Sequence, residues 1–134
     1  MPKIVVTNPE KMTIEKMEIE QGTLTGKLPE LIGTPETTHC TPFRGRGGVL
    51  VGCFCDDFGL TRQKYGQFFK GYPNPVMGPC VLYAEDSYGD GQLVDVPFEI
   101  EHSVNLIWVE IVEIQGRRNI IVRADQPIAG FHAL

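Results

Sequence analysis

Tryptophan occurs once in this chain, histidine three times and cysteine four times among 134 residues. Long apolar runs are missing as well. The longest candidate, Leu106–Ile114, is interrupted by Glu110 and Glu113, and nothing approaches the ~20 residues of a membrane-spanning helix. The N-terminal MPKIVVTNPEK carries only a short apolar run that ends in polar residues, not the pattern of a secretory signal. A cytoplasmic chain with free thiols is therefore expected. Cations are outnumbered, with 12 Lys/Arg against 17 Asp/Glu and a formal net charge of −5. That balance opposes general affinity for nucleic acid or for an anionic membrane.

Catalytic signatures are also missing. There is no G-x-S-x-G, no H-E-x-x-H and no paired-carboxylate pattern. The glycine-rich stretch Arg44-Gly45-Arg46-Gly47-Gly48 lacks the Lys-Ser/Thr of a P-loop and follows no strand, which removes the Walker and Rossmann readings. Asp57-Phe58-Gly59 spells a kinase triplet, but the other kinase motifs are absent. The cysteines Cys40, Cys53, Cys55 and Cys80 lack the C-x2-C knuckle of a zinc site. Buried, small apolar thiols are preferred to a metal site built with His39, and no cofactor is expected. His39 beside Cys40 is the one pair resembling a nucleophile with a base, although sequence neighbours rarely reach each other productively.

What is present is a chain cut into short pieces by fifteen glycines and ten prolines. Residues 1–134 read as a single domain. Lys3–Thr7 reads as a strand, and Met12–Glu20 as a half-exposed strand with Met17 and Ile19 alternating with acids. Thr23–Gly33 has Leu24, Leu28, Leu31 and Ile32 on one helical face. Pro29 argues for a helix beginning after it, or for a turn, since interior proline costs ~3 kcal/mol. Thr34–Gly48 reads as a loop and Val49–Phe54 as a buried strand. Asp56–Gly59 is turn chemistry, and Thr61–Lys70 reads as a one- or two-turn helix presenting Tyr65, Phe68 and Phe69. Gly71–Gly78 follows as a rigid loop. Cys80–Ala84 and Gln92–Val96 would pair across a hairpin turn at Asp86–Gly91. Phe98–Ile100 and Val104–Ile114 are further strands, and Asn119–Arg123 returns from the turn at Gln115-Gly116-Arg117. The expected fold is α+β and predominantly β: a small curled sheet or partly open barrel with one or two short helices.

Charge is unevenly spread. Thr41–Tyr72 holds five Lys/Arg and two acids, a net +3, while residues 1–40 sum to −2 and residues 73–134 to −6. Glycines in this segment let a backbone approach an anion. Arg44, Arg46, Arg62 and Lys64 could neutralise phosphate, and Tyr65 or Phe69 could stack on a ring. The candidate ligand-binding set is thus Arg44, Arg46, Gly47, Arg62, Lys64, Tyr65 and Phe69. Its ligand would be a small anion with a ring system, a nucleotide being one candidate. The structural reading of the same residues is a solvated loop and a half-buried aromatic helix. Asp56 and Asp57 could hold a catalytic metal for phosphodiester hydrolysis, but strand neighbours point to opposite faces and ordinary turn chemistry is the preferred reading.

Read in order, KIVVTNPEK, LPELIG, GGVLVGCFCDDFGL and GPCVLYAEDSYGDG across residues 3–96 resemble a small domain of phage and plasmid proteins that has no agreed activity. The resemblance implies a mobile-element protein acting on host machinery, as a non-enzymatic inhibitor or a nucleotide-signal sponge. The leading expectation is therefore a binding protein that captures its ligand without turnover. The alternatives are a protein–protein inhibitor or structural subunit, and a metal-dependent hydrolase. A homodimer is expected because Leu106–Ile114 outreaches its hairpin partner, and the apolar tail Ile128–Leu134 could cover the exposed edge.

Overall fold

A computed structural model describes residues 1–40, 49–69, 72–86, 92–96 and 106–123. Among the described residues ten strands and two helices follow one another as β1 (Lys3–Asn8), β2 (Thr13–Glu18), α1 (Leu24–Ile32), β3 (Thr37–Cys40), β4 (Val49–Asp56), α2 (Gly59–Arg62), β5 (Tyr65–Phe69), β6 (Val76–Met77), β7 (Cys80–Asp86), β8 (Leu93–Val94), β9 (Leu106–Ile114) and β10 (Arg117–Val122). The α+β, mainly β expectation holds. The strands form two antiparallel sheets, ordered β2-β1-β7-β4-β3 and β10-β9-β5-β6, with β8 beside β7. Among the described residues neither sheet closes into a barrel.

Period-2 alternation decides the layering. One face of the first sheet carries Val5, Val51, Cys53, Cys55, Cys80, Leu82 and Ala84, packed against Phe69, Val76, Leu106 and Trp108 of the second sheet. The opposite face carries Ile4, Val81 and Tyr83 and is covered by Leu24, Leu28 and Ile32 of α1. The order is helix, sheet, sheet.

The helix reading of Thr23–Gly33 is corrected in its position, because α1 runs through Pro29. Leu24, Leu28 and Ile32 fall at four-residue intervals and are buried. That burial outweighs the amide lost at Pro29. Gly33 closes the helix in the left-handed region, its N–H donating to the Pro29 carbonyl at 2.9 Å.

Two further readings are corrected. Thr34–Gly48 is not all loop, because Thr37–Cys40 pairs with β4 as β3. The expected helix over Thr61–Lys70 is only α2, and Tyr65–Phe69 is a strand instead. Tyr65, Gln67 and Phe69 share one strand face, and aromatic residues favour that pleated surface. The strand also settles the question of an unmated β9. Leu106–Glu110 pairs with β5 while Val109–Ile114 pairs with β10, so β9 is an interior strand. The hairpin turn at Gln115-Gly116 has both residues at positive φ, 52° and 75°, the backbone a two-residue turn requires. The expected strand Phe98–Ile100 and the tail Ile128–Leu134 lie outside the described residues.

A buried polar bridge joins the sheets. The Thr7 hydroxyl donates to Gln67 Oε1 at 2.7 Å and accepts from the Cys80 amide at 3.1 Å. Gln67 Nε2 donates to the carbonyls of Val76 and Gly78, at 2.5 and 3.0 Å. Both residues have no exposed surface, and each donor and acceptor has a defined role. Gln67→Leu removes the side-chain donor to the Val76 and Gly78 carbonyls and leaves the Thr7 hydroxyl without its acceptor, and is expected to cost about 1–3 kcal/mol. Thr7→Val should cost a similar amount. Urea denaturation should show the double variant losing less than the sum of the two; strictly additive losses would show that they do not act as a unit.

Candidate functional site

The site is organised around α2, a helix of four residues that has no means of standing alone. Asp56, at the end of β4, holds it. Its Oδ1 accepts from the Phe58 amide at 2.9 Å and from Arg62 Nη2 at 2.6 Å. Its Oδ2 accepts from Arg62 Nε at 2.8 Å and from Gln63 Nε2 at 2.9 Å. Arg62 reaches on to Glu36 Oε1 at 3.1 Å and Thr34 Oγ1 at 2.7 Å. The Asp57 amide donates to the Glu36 carbonyl at 2.9 Å. Arg62 and the other donors hold the buried Asp56 carboxyl down at about 2, and the two carboxylates raise Arg62 in return. Gly59 sits so close to β6 that a Cβ there would lie 2.4 Å from the Met77 carbonyl oxygen, an approach that only glycine permits.

Two clefts are bordered by this helix. The larger, about 460 Å³, is bordered by His39 and Cys40 of β3, by Cys55, by Phe58 and Leu60, and by Tyr72. The smaller, about 370 Å³, has Thr61, Arg62, Gln63 and Lys64 on one side and Ile111, Glu113 and Arg118 on the other. Thr61 borders both. Arg118 Nη1 donates to the Thr61 carbonyl at 3.2 Å, which ties the β9–β10 hairpin to α2.

The sequence-derived ligand set is distributed unevenly over this geometry. Arg44, Arg46 and Gly47 lie outside the described residues. Lys64 stands at the smaller cleft, its Nζ 5.5 Å from the Tyr65 ring centroid. Tyr65 is half-buried and also carries Arg123 at 4.7 Å. Arg62 borders the smaller cleft, but its guanidinium is occupied by Asp56, Glu36 and Thr34. Phe69 is 2% exposed and packs in the intersheet core, so its ring has no free face for a ligand. Asp56 has both oxygens filled, whereas Asp57 is exposed at the larger cleft. Among the described residues no group of three or more His, Cys, Asp or Glu side chains is arranged to hold a metal ion.

Sequence reasoning overlooked Arg118, which approaches α2 only through the β9–β10 hairpin. It also overlooked the pairing of His39 with Tyr83, whose hydroxyl lies 2.7 Å from His39 Nε2. Phe54 stacks on Tyr83 at 5.0 Å and meets His39 edge-on at 5.2 Å. Alternation along β4, with Cys53 inward and Phe54 outward, was the available signal. Burial raises the Tyr83 phenol.

Among the described residues no helix is long and apolar enough to cross a membrane. Comparison with protein-family models, with curated proteins and with solved structures returned no match.

Asp56 carries a pH dependence. Its carboxyl is lower in the folded chain, about 2 against 3.8, so its stabilisation is complete above the unfolded value and is lost as pH falls. About 2 kcal/mol should disappear progressively between about pH 5 and about pH 2. Denaturant titrations of the wild type and Asp56→Asn should show a stability gap that narrows over that window. A gap of constant size down to pH 2 would refute the assignment.

Proposed function

We propose that this protein is a binding module for a small molecule bearing a ring and an anionic group, a nucleotide being the fitting class, and that it holds this ligand without turning it over. The observation that carries the reading is the meeting of two unlike clefts at Thr61. One is bordered by the aromatic residues Phe58 and Tyr72; the other has the cations Lys64 and Arg118 at its rim, with Glu113 beside them. A ring in the larger cleft and a phosphate or carboxylate in the smaller would satisfy both. The larger volume lies within the range of small-molecule sites. In the mobile-element setting that the sequence resemblance implies, such a module would sequester a host nucleotide signal inside the host cell.

Calorimetric titration with a panel of mono- and dinucleotides tests the reading. At least one should bind below millimolar concentration. Lys64→Ala and Arg118→Ala should each weaken it about tenfold, as expected when one charge-assisted contact is lost. Absence of sub-millimolar binding across the panel would overturn the proposal.

A protein contact is favoured by a separate observation. Among the described residues β10 pairs only with β9, and Ile120, Ile121 and Val122 are exposed along it. Apolar edge strands of this kind invite a further strand. A second copy pairing through β10 would give a symmetric dimer. Light scattering should report a dimer at about tens of micromolar and a monomer for Ile121→Lys. A monomeric wild type would exclude it.

A further inference from the structure

Four thiols converge where β3, β4 and β7 lie side by side. Cys40 is the last residue of β3, and Cys53 is its direct partner in the antiparallel register. Cys55 follows two residues later on the same strand face, and Cys80 opens the neighbouring β7. All four are free. Cys53 and Cys80 have no exposed surface. Cys40 is half-buried and borders the larger cleft together with Cys55. Residues directly opposite in an antiparallel pair have Cα atoms about 4.5–5.5 Å apart, within the span a disulfide needs.

We propose that Cys40 and Cys53 form a thiol–disulfide switch, with Cys40 as the nucleophile that meets a hydroperoxide in the cleft and Cys53 as the resolving thiol. The two sulfurs differ in the way these roles require. The neighbouring Cys53 and Cys55 thiols favour the charged form of Cys40, with lesser help from the His39 charge and the Tyr72 hydroxyl, and hold it well below the usual thiol range. Contact with Cys40 and Cys80, together with burial, pushes Cys53 up. Contact with Cys40 and burial likewise push Cys55 up, with Asp56 a further, smaller cause. A thiolate is the reactive form, and Cys40 borders the cleft while Cys53 has no exposed surface, so oxidant reaches the cluster through Cys40.

The chemistry balances in two steps. The Cys40 thiolate attacks the distal hydroperoxide oxygen. An S–O bond forms, the O–O bond breaks, and the departing alkoxide or hydroxide takes a proton from solvent. Cys53 sulfur then attacks Cys40 sulfur. An S–S bond forms, the S–O bond breaks, and the sulfenic hydroxyl leaves as water with the Cys53 proton. Two thiols are oxidised by two electrons and one hydroperoxide is reduced. The inference is independent of the ligand reading, because it requires only that peroxide enter the larger cleft.

The fully reduced full chain, treated with about one equivalent of hydrogen peroxide, should lose two thiols, and non-reducing peptide mapping should find Cys40 joined to Cys53. Cys53→Ser should stop at a Cys40 sulfenic acid that dimedone traps, while Cys80→Ser should still form the disulfide. In the wild type, iodoacetamide should alkylate Cys40 at about pH 5 within roughly threefold of its rate at about pH 8. A thiol of ordinary pKa slows about a thousandfold over that interval. Cys40 reacting with peroxide no faster than in the denatured chain would overturn the proposal. So would a first disulfide that leaves Cys40 free. Both readouts use the wild-type chain, so failure of a variant to fold would not remove the test.

Discussion

The buried carboxylate of Asp56 is the constraint on which the candidate site depends. A carboxylate accepts only, and in this one both oxygens are filled by donors from the Phe58 amide, Arg62 and Gln63. Breaking such a pair strands a charge away from water, which is far more costly than the pair itself is favourable. The result is that the end of β4, the whole of α2 and the approach to β3 at Thr34 and Glu36 share one position. Both clefts are bordered by α2. Without this clamp a four-residue helix has too few internal bonds to define either wall.

Much of the first sheet was legible in the sequence. β1, β4 and β7 are short runs rich in Val, Leu and Cys with turn residues at their ends, and a buried strand has few alternatives there. The β9–β10 hairpin was legible for the same reason, with Gln115-Gly116 as its turn. The misreadings have a common cause. Tyr65–Phe69 contains Gly66 and two adjacent phenylalanines, and spacing alone does not distinguish a short aromatic strand from a helical turn. What decides it is the partner strand β9, about forty residues downstream. α1 was judged by the cost of Pro29 without the return from burying Leu24, Leu28 and Ile32.

The candidate site was less legible than the fold, because its chemistry depends on which side chains are already paired. Arg62 has the composition of an anion ligand, but its partner Asp56 lies six residues earlier and was read as turn chemistry. Phe69 looked available and is core. Cys53 and Cys55 could be placed on one strand face from their spacing, yet Cys40 and Cys80 join them only through the pairing of β3 and β7 with β4. The intersheet layer therefore mixes aliphatic packing with thiols and the Thr7–Gln67 bridge. No buried side-chain nitrogen or oxygen among the described residues lacks a partner, which is what allows polar groups at that depth.

The strand order has a consequence for how the chain acquires this structure. β7 lies between β1 and β4 and pairs with both, with Thr7 opposite Cys80 and Val51 opposite Ala84. The β1–β2 hairpin and the β3–β4 hairpin can each form locally, but they have no direct strand contact with one another. Each presents an open edge until a segment more than seventy residues beyond β1 arrives between them. Loop closure over that span must precede most of the contacts that reward it. During synthesis the first half of the chain therefore leaves the ribosome as separate hairpins with exposed apolar edges, the form most prone to mispairing with other chains. The sheet becomes continuous only when β7 emerges and inserts.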